Sequence, residues 1–145
     1  MNIYIGADHR GYGLKASLET FLEKNGHDIF DVGNLVFDPQ DDYPDFARKV
    51  AKRVAQNKNA RGIAICASGA GVCIAANRVK GVRAVLAHDI ALARASRKDD
   101  DTNVLCIGSD FVALEQAKKI ISAWLNTSFE KIPRRVRRIR SLDKL

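Results

Sequence analysis

Residues 62–78, GIAICASGAGVCIAANR, join a short apolar run to a turn of small residues and then to a segment with helical spacing. The run over 62–66 is β-branched at alternate positions and is closed by turn residues, which predicts a buried parallel strand. Cys66 then stands at the carboxyl end of that strand. Ala67, Ser68, Gly69, Ala70 and Gly71 let the backbone turn tightly enough for its N–H groups to converge on an anion, with a helix following from Val72. A thiol beside such a nest and a helix N-terminus has two reasons to ionise, and a thiolate serves as a base or a nucleophile. Taken alone, the same residues also fit a plain core cysteine and a glycine turn of the kind many α/β folds contain.

The rest of the chain repeats the strand-then-helix order. Residues 2–6 form a strand running into Asp8 and His9, and Leu14, Leu18, Phe21 and Leu22 recur at helical spacing before the stop at Asn25 and Gly26. A second strand covers 27–32. A polar loop over 34–42 leads to a helix opened by Tyr43 and Pro44, with Phe46, Val50 and Val54 on its buried stripe. After the central motif come a strand over 81–87, a helix over 89–97, a strand over 103–108 and a helix over 111–125. This alternation predicts one domain over residues 1–145: a three-layer α/β sandwich with a five-stranded parallel sheet. Ligands of such sheets bind at the carboxyl ends of the strands, where strand order reverses, and this rule brings Asp8, His9, Cys66 and the Ser68 turn to one crevice.

Composition narrows the function. The three cysteines are widely spaced in apolar settings, so a reducing compartment is expected rather than a disulfide framework. Neither they nor the three histidines show metal-ligand spacing, and no metal or other cofactor is expected. Cys73 and Cys106 read as packing residues. The chain enters its first strand without a basic leader or a long apolar segment, so a cytoplasmic protein is expected. The formal charge of +7 and a pI near 9.5 suit an anionic partner. Much of that excess lies over 131–144, where Pro133 can open a basic helix over about 133–142 with Val136, Ile139 and Leu142 as its apolar stripe. Arg134 and Arg138 share a face of that helix one turn apart.

Four stretches taken together, GADHRG, DYPDFA, CASGAGVCIAANRVKGVRA and SRKDDDTNVLCIGSD, resemble the type B ribose-5-phosphate isomerases and their sugar-phosphate isomerase relatives, in collinear order over nearly the whole chain. The resemblance implies a Rossmann-like fold and a metal-independent aldose-ketose isomerase of the pentose phosphate pathway. It also implies a homodimer, or a tetramer built from dimers, with active sites at the subunit interface. Carried over by position, Cys66 is the group that moves a proton between C1 and C2, and Ala67, Ser68, Gly69, Ala70 and Gly71 form the anion-hole loop. Asp8 meets the sugar hydroxyls and His9 the phosphate. Arg134 and Arg138 reach the phosphate from a neighbouring subunit.

This chain departs from the pattern at three places. Ala67 stands where the family has glycine, which the backbone tolerates if its φ is negative. Asp99 and Asp100 replace a His-Asn pair, so the usual ring-opening histidine is missing, and Asp99 with a raised pKa or Asp8 with water would have to move that proton. Asp110 stands where an arginine is common. Two alternatives remain open: a six-carbon sugar phosphate such as allose or galactose 6-phosphate, and a nucleic-acid-binding module built on the basic tail. Against the latter, no aromatic residues interleave with the arginines, and a guanidinium fork matches a substrate phosphate equally well. The expected partners are therefore a phosphorylated pentose and a second copy of the chain, with neither nucleic acid nor membrane.

Overall fold

The computed structural model describes all 145 residues. Five parallel strands, β1 (Asn2–Ala7), β2 (Asp28–Asp31), β3 (Arg61–Cys66), β4 (Ala84–Leu86) and β5 (Val104–Gly108), lie in the order β2-β1-β3-β5-β4. The helices are α1 (Tyr12–Lys24), α2 (Tyr43–Gln56), α3 (Ala70–Asn77), α4 (Ile90–Asp100), α5 (Leu114–Leu125) and α6 (Pro133–Leu142).

Period-two alternation along the central strands splits the core in two. Ile3, Ile5, Ile63, Ile65, Leu105 and Ile107 face α1, α4 and α5. Ala64, Cys66, Val104 and Cys106 face α2 and α3. The connections β1 to β2 and β4 to β5 use the first layer, whereas β2 to β3 and β3 to β4 move the opposite way across the sheet through the second. All four crossovers therefore share one hand, the right-handed one expected of parallel βαβ units. Trp124 of α5 fills the first core and donates its Nε1–H to Thr102 Oγ1 at 2.9 Å. No helix is long and apolar enough to cross a membrane.

Several boundaries differ from the sequence reading. α4 runs on to Asp100, because the left-handed residue Asp101 supplies its cap and Arg97 ties the last turn to Asp101 and Thr102. α5 starts at Leu114 instead of 111, since residues 109–111 turn back toward the loop after β3 through Ser109 and Asp110. β4 keeps only three of the seven residues over 81–87, at the sheet's edge. α6 forms where expected, but its inward face is not the stripe of Val136, Ile139 and Leu142. Leu142 is 46% exposed, Val136 is half-buried and Ile139 alone of the three is buried. Arg135 occupies the inward position one turn earlier, drawn there by Asp99 and Glu130.

Candidate active site

β1 leads through α1 to one side of the sheet and β3 leads through α3 to the other, so a crevice opens between their carboxyl ends. Ala7 pairs with Ile65, which sets Asp8 next to Cys66, and Cys66 pairs with Gly108. The structure thus brings together Asp8, His9, Cys66 and residues 67–71, as expected.

Cys66 is 4% exposed, and the backbone N–H of Gly69 donates to its Sγ at 3.2 Å. The bond requires the loop to double back. Gly69 does so at φ +76°, and a Cβ there would lie 2.8 Å from the Gly108 nitrogen. Ala67 is not among the residues with positive φ, so the backbone accommodates alanine there. Ser68 Oγ accepts the N–H of Ala70 at 3.2 Å, and α3 begins at Ala70. The N–H groups of Gly71 and Val72, in the first turn, have no acceptor within the helix and remain available to an anion. Gly71 also allows the Tyr43 ring to close over the loop, since a Cβ there would lie 2.6 Å from it. Of the other cysteines, Cys106 is fully buried in β5, where burial pushes its thiol well up and keeps it neutral.

Asp8 is buried, and its Oδ1 accepts the N–H groups of Arg10 at 3.0 Å and Gly11 at 3.1 Å. Burial raises its carboxyl above the ordinary aspartate range, while the Gly11 N–H and the charge of His9 offset only part of that rise. His9 is oriented by Asp41, whose Oδ1 lies 2.7 Å from the ring Nδ1 and accepts the His9 N–H at 3.0 Å. Asn34 Nδ2 donates to the other oxygen at 2.8 Å. Burial works to raise the Asp41 carboxyl, but the bonds from His9 and Asn34 outweigh it and hold Asp41 below the usual range. The Asp41 carboxylate accepts the Nδ1–H and orients the ring, which leaves Nε2 as the nitrogen that faces a ligand. Asp8, His9 and Asp41 offer atoms within 4.8 Å of one another, a grouping that sequence spacing does not disclose because Asp41 is 32 residues from His9. Asn34, Asp41 and Tyr43 are therefore the residues the sequence reading missed. The polar, acidic character of the 34–42 loop is the only signal for Asn34 and Asp41, and Tyr43 lies in the DYPDFA stretch, where the sequence reading saw only a helix start.

At the rim, Asp110 takes Arg10, whose Nη2 lies 2.9 and 2.8 Å from its two oxygens. Asp110 thus anchors an arginine from the loop after β1.

Four expected site residues do not join this crevice within one chain. α4 runs antiparallel to the strands, so Asp99 and Asp100 lie at the amino edge of the sheet, five and four residues before β5 begins. β5 starts opposite Gly62 and ends opposite Cys66, so the two edges are about 13 Å apart. Asp99 is paired with Arg135, and the Asp100 carbonyl accepts Arg83 Nε–H at 3.2 Å. Arg134 and Arg138 sit exposed on α6, which packs on α4 at that same edge. Arg135, to which the sequence assigns no role, has a side chain 18% exposed that bridges Asp99 and Glu130.

Comparison with known proteins agrees with this geometry. The pattern of the ribose/galactose isomerase family matches residues 3–142. A probable ribose-5-phosphate isomerase B of Mycoplasma pneumoniae is 44% identical over 128 residues, 88% of this chain and 84% of that one. Ribose-5-phosphate isomerase B of Escherichia coli is 41% identical over 128 residues, 88% of this chain and 85% of that one. The crystal structure of ribose-5-phosphate isomerase B from Mycoplasma genitalium with bound ribulose 5-phosphate superposes with a TM-score of 0.94 at 41% identity, covering 99% of this chain and 94% of that one.

Proposed function

The chain belongs to the ribose/galactose isomerase family, and we infer that it interconverts D-ribose 5-phosphate and D-ribulose 5-phosphate, with Cys66 as the base that acts on carbon. The observation that carries this reading is the buried Cys66 sulfur, 3.2 Å from the Gly69 N–H, at the switch point beside Asp8 and His9.

Isomerisation removes the proton on C2 of the open-chain aldose, and the electron pair moves onto O1 as an enediolate. The Cys66 thiolate takes that proton. Negative charge on O1 meets the N–H groups of the loop and the first turn of α3, which are fixed before the reaction and need no reorganisation. Returning the proton to C1, with the O2 proton passing to O1, yields the ketose. Asp8, with its raised carboxyl, is placed to exchange the hydroxyl protons and to assist ring opening. His9 turns Nε2 toward the phosphate.

Phosphate capture is completed by Arg134 and Arg138 of a second copy, in a homodimer with shared sites. Two features favour this. The arginines are exposed at the edge of the sheet away from their own Cys66, and the loop beside the crevice exposes Leu35, Val36 and Phe37. Asp99 and Asp100 would approach the partner's crevice by the same route, with Asp99 already anchoring Arg135. We place the enzyme in the cytoplasm, as its phosphorylated substrate suggests.

Turnover of ribose 5-phosphate well above allose 6-phosphate by the purified chain tests the substrate, and preference for the hexose overturns it. Mixing Cys66→Ala with Arg138→Ala protein tests sharing. Regained activity after subunit exchange supports it, and none after verified exchange counts against it.

A further inference from the structure

α1 buries a stripe of Leu18 and Leu22, and the position that continues it toward the N-terminus is Lys15, only 2% exposed. An ammonium in that place is costly unless fully partnered, and a leucine or methionine would continue the stripe without that cost. The lysine's two polar partners are therefore informative. Its Nζ pairs with the Asp31 carboxylate at the end of β2, and it donates to the main-chain carbonyl of Asn34 at 2.6 Å. The first bond answers the buried charge. The second fixes the base of the loop that carries Asp41.

From Asn34 the connection is unbroken. Its Nδ2 donates to Asp41 Oδ2 at 2.8 Å, and Asp41 Oδ1 holds both the ring Nδ1 and the N–H of His9. Asp31 Oδ1 accepts the N–H of Gly33 at 2.8 Å, so the residue before Asn34 is tied to the same ion pair. The Lys15 Nζ also lies 5.6 Å from the Tyr12 ring centroid, and Tyr12 meets Phe37 of the loop edge-to-face at 5.8 Å. We propose that Lys15 is a positioning residue for the phosphate-binding histidine, acting through Asn34 and Asp41. The proposal rests on the reading of His9 as a phosphate ligand.

Steady-state kinetics on the full chain with ribose 5-phosphate separate the possibilities, using Lys15→Met, Asn34→Ala, His9→Ala and the doubles with His9→Ala. Loss of binding that is equal in ground and transition states raises KM and leaves kcat, so Asn34→Ala and Lys15→Met should each raise KM about tenfold with kcat within about twofold. Each should add nothing further to His9→Ala, because groups acting through one another are not additive. Asn34 is half-buried, so Asn34→Ala tests the step from the loop to Asp41, and Lys15→Arg, which keeps the buried charge beside Asp31 but alters the reach to the Asn34 carbonyl, stands in should Lys15→Met fail to fold. A raised KM in His9→Ala alongside a wild-type KM in a folded Lys15 variant or in Asn34→Ala overturns the proposal, as does full additivity in the doubles. An unchanged KM in His9→Ala instead overturns the reading of His9 itself, and the proposal with it.

Discussion

The backbone N–H of Gly69 donates to the Sγ of Cys66 at 3.2 Å, across a turn that only a left-handed residue can make. Gly69→Ala forces an L-residue into that conformation, at about 1–2 kcal/mol, and drives a Cβ against the Gly108 backbone. The variant is expected to melt earlier and to lose kcat out of proportion to its stability. Kinetics well below its melting temperature, compared with wild type, check this.

Gly71→Ala makes a milder change. The three atoms nearest its Cβ all belong to the Tyr43 ring, which is partly exposed and can swing outward. Overpacking of this kind costs about 1–3 kcal/mol where nothing yields, and less here. Thermal melting should rank Gly71→Ala above Gly69→Ala, and a reversed order would contradict the loop geometry.

Glu19 lies beside Asp31 and Lys15, where burial and then the Asp31 charge raise its carboxyl from the usual 4.5 to about 7. The folded chain therefore holds a proton that the unfolded chain has released over that interval, and stability falls as pH rises from about 4.5 to about 7. Glu19→Gln removes this term. Urea unfolding at several pH values should show a shallower decline across that window for the variant, which should be the more stable protein above pH 7.

Arg135 and Arg138 lie on one helix and should fail differently. Arg135 bridges Asp99 and Glu130 and is largely buried, so Arg135→Ala should lower the melting temperature and loosen α6. Arg138 is exposed, so Arg138→Ala should leave the melting temperature unchanged and raise KM for the sugar phosphate. Calorimetry paired with kinetics separates the two.

Much of this was legible in the sequence, for reasons that are local. The run over 62–66 and its small-residue turn specify a buried strand entering a helix, and strand-helix alternation specifies the parallel sheet. Cys66, Asp8 and His9 fall at strand ends, so the switch-point rule collects them. What the sequence hides is contact across the chain. Asp41 reaches His9 over 32 residues and Lys15 reaches Asn34 over 19, with no spacing that betrays either. The α6 stripe misled because a periodic pattern ranks residues by apolarity, whereas Arg135 was drawn inward by two carboxylates. Asp99 and Asp100 were grouped with Cys66 by family pattern, and only the antiparallel course of α4 reveals that they occupy the opposite edge of their own chain.

The most direct measurement is the turnover of ribose 5-phosphate by wild type and Cys66→Ser with a metal chelator present. A base that transfers the carbon proton contributes about 10²–10⁴-fold, and serine is a far weaker one, so kcat should fall by that order while the melting temperature holds. A Cys66→Ser protein that isomerises ribose 5-phosphate at close to the wild-type rate would contradict the assignment of Cys66 as the base.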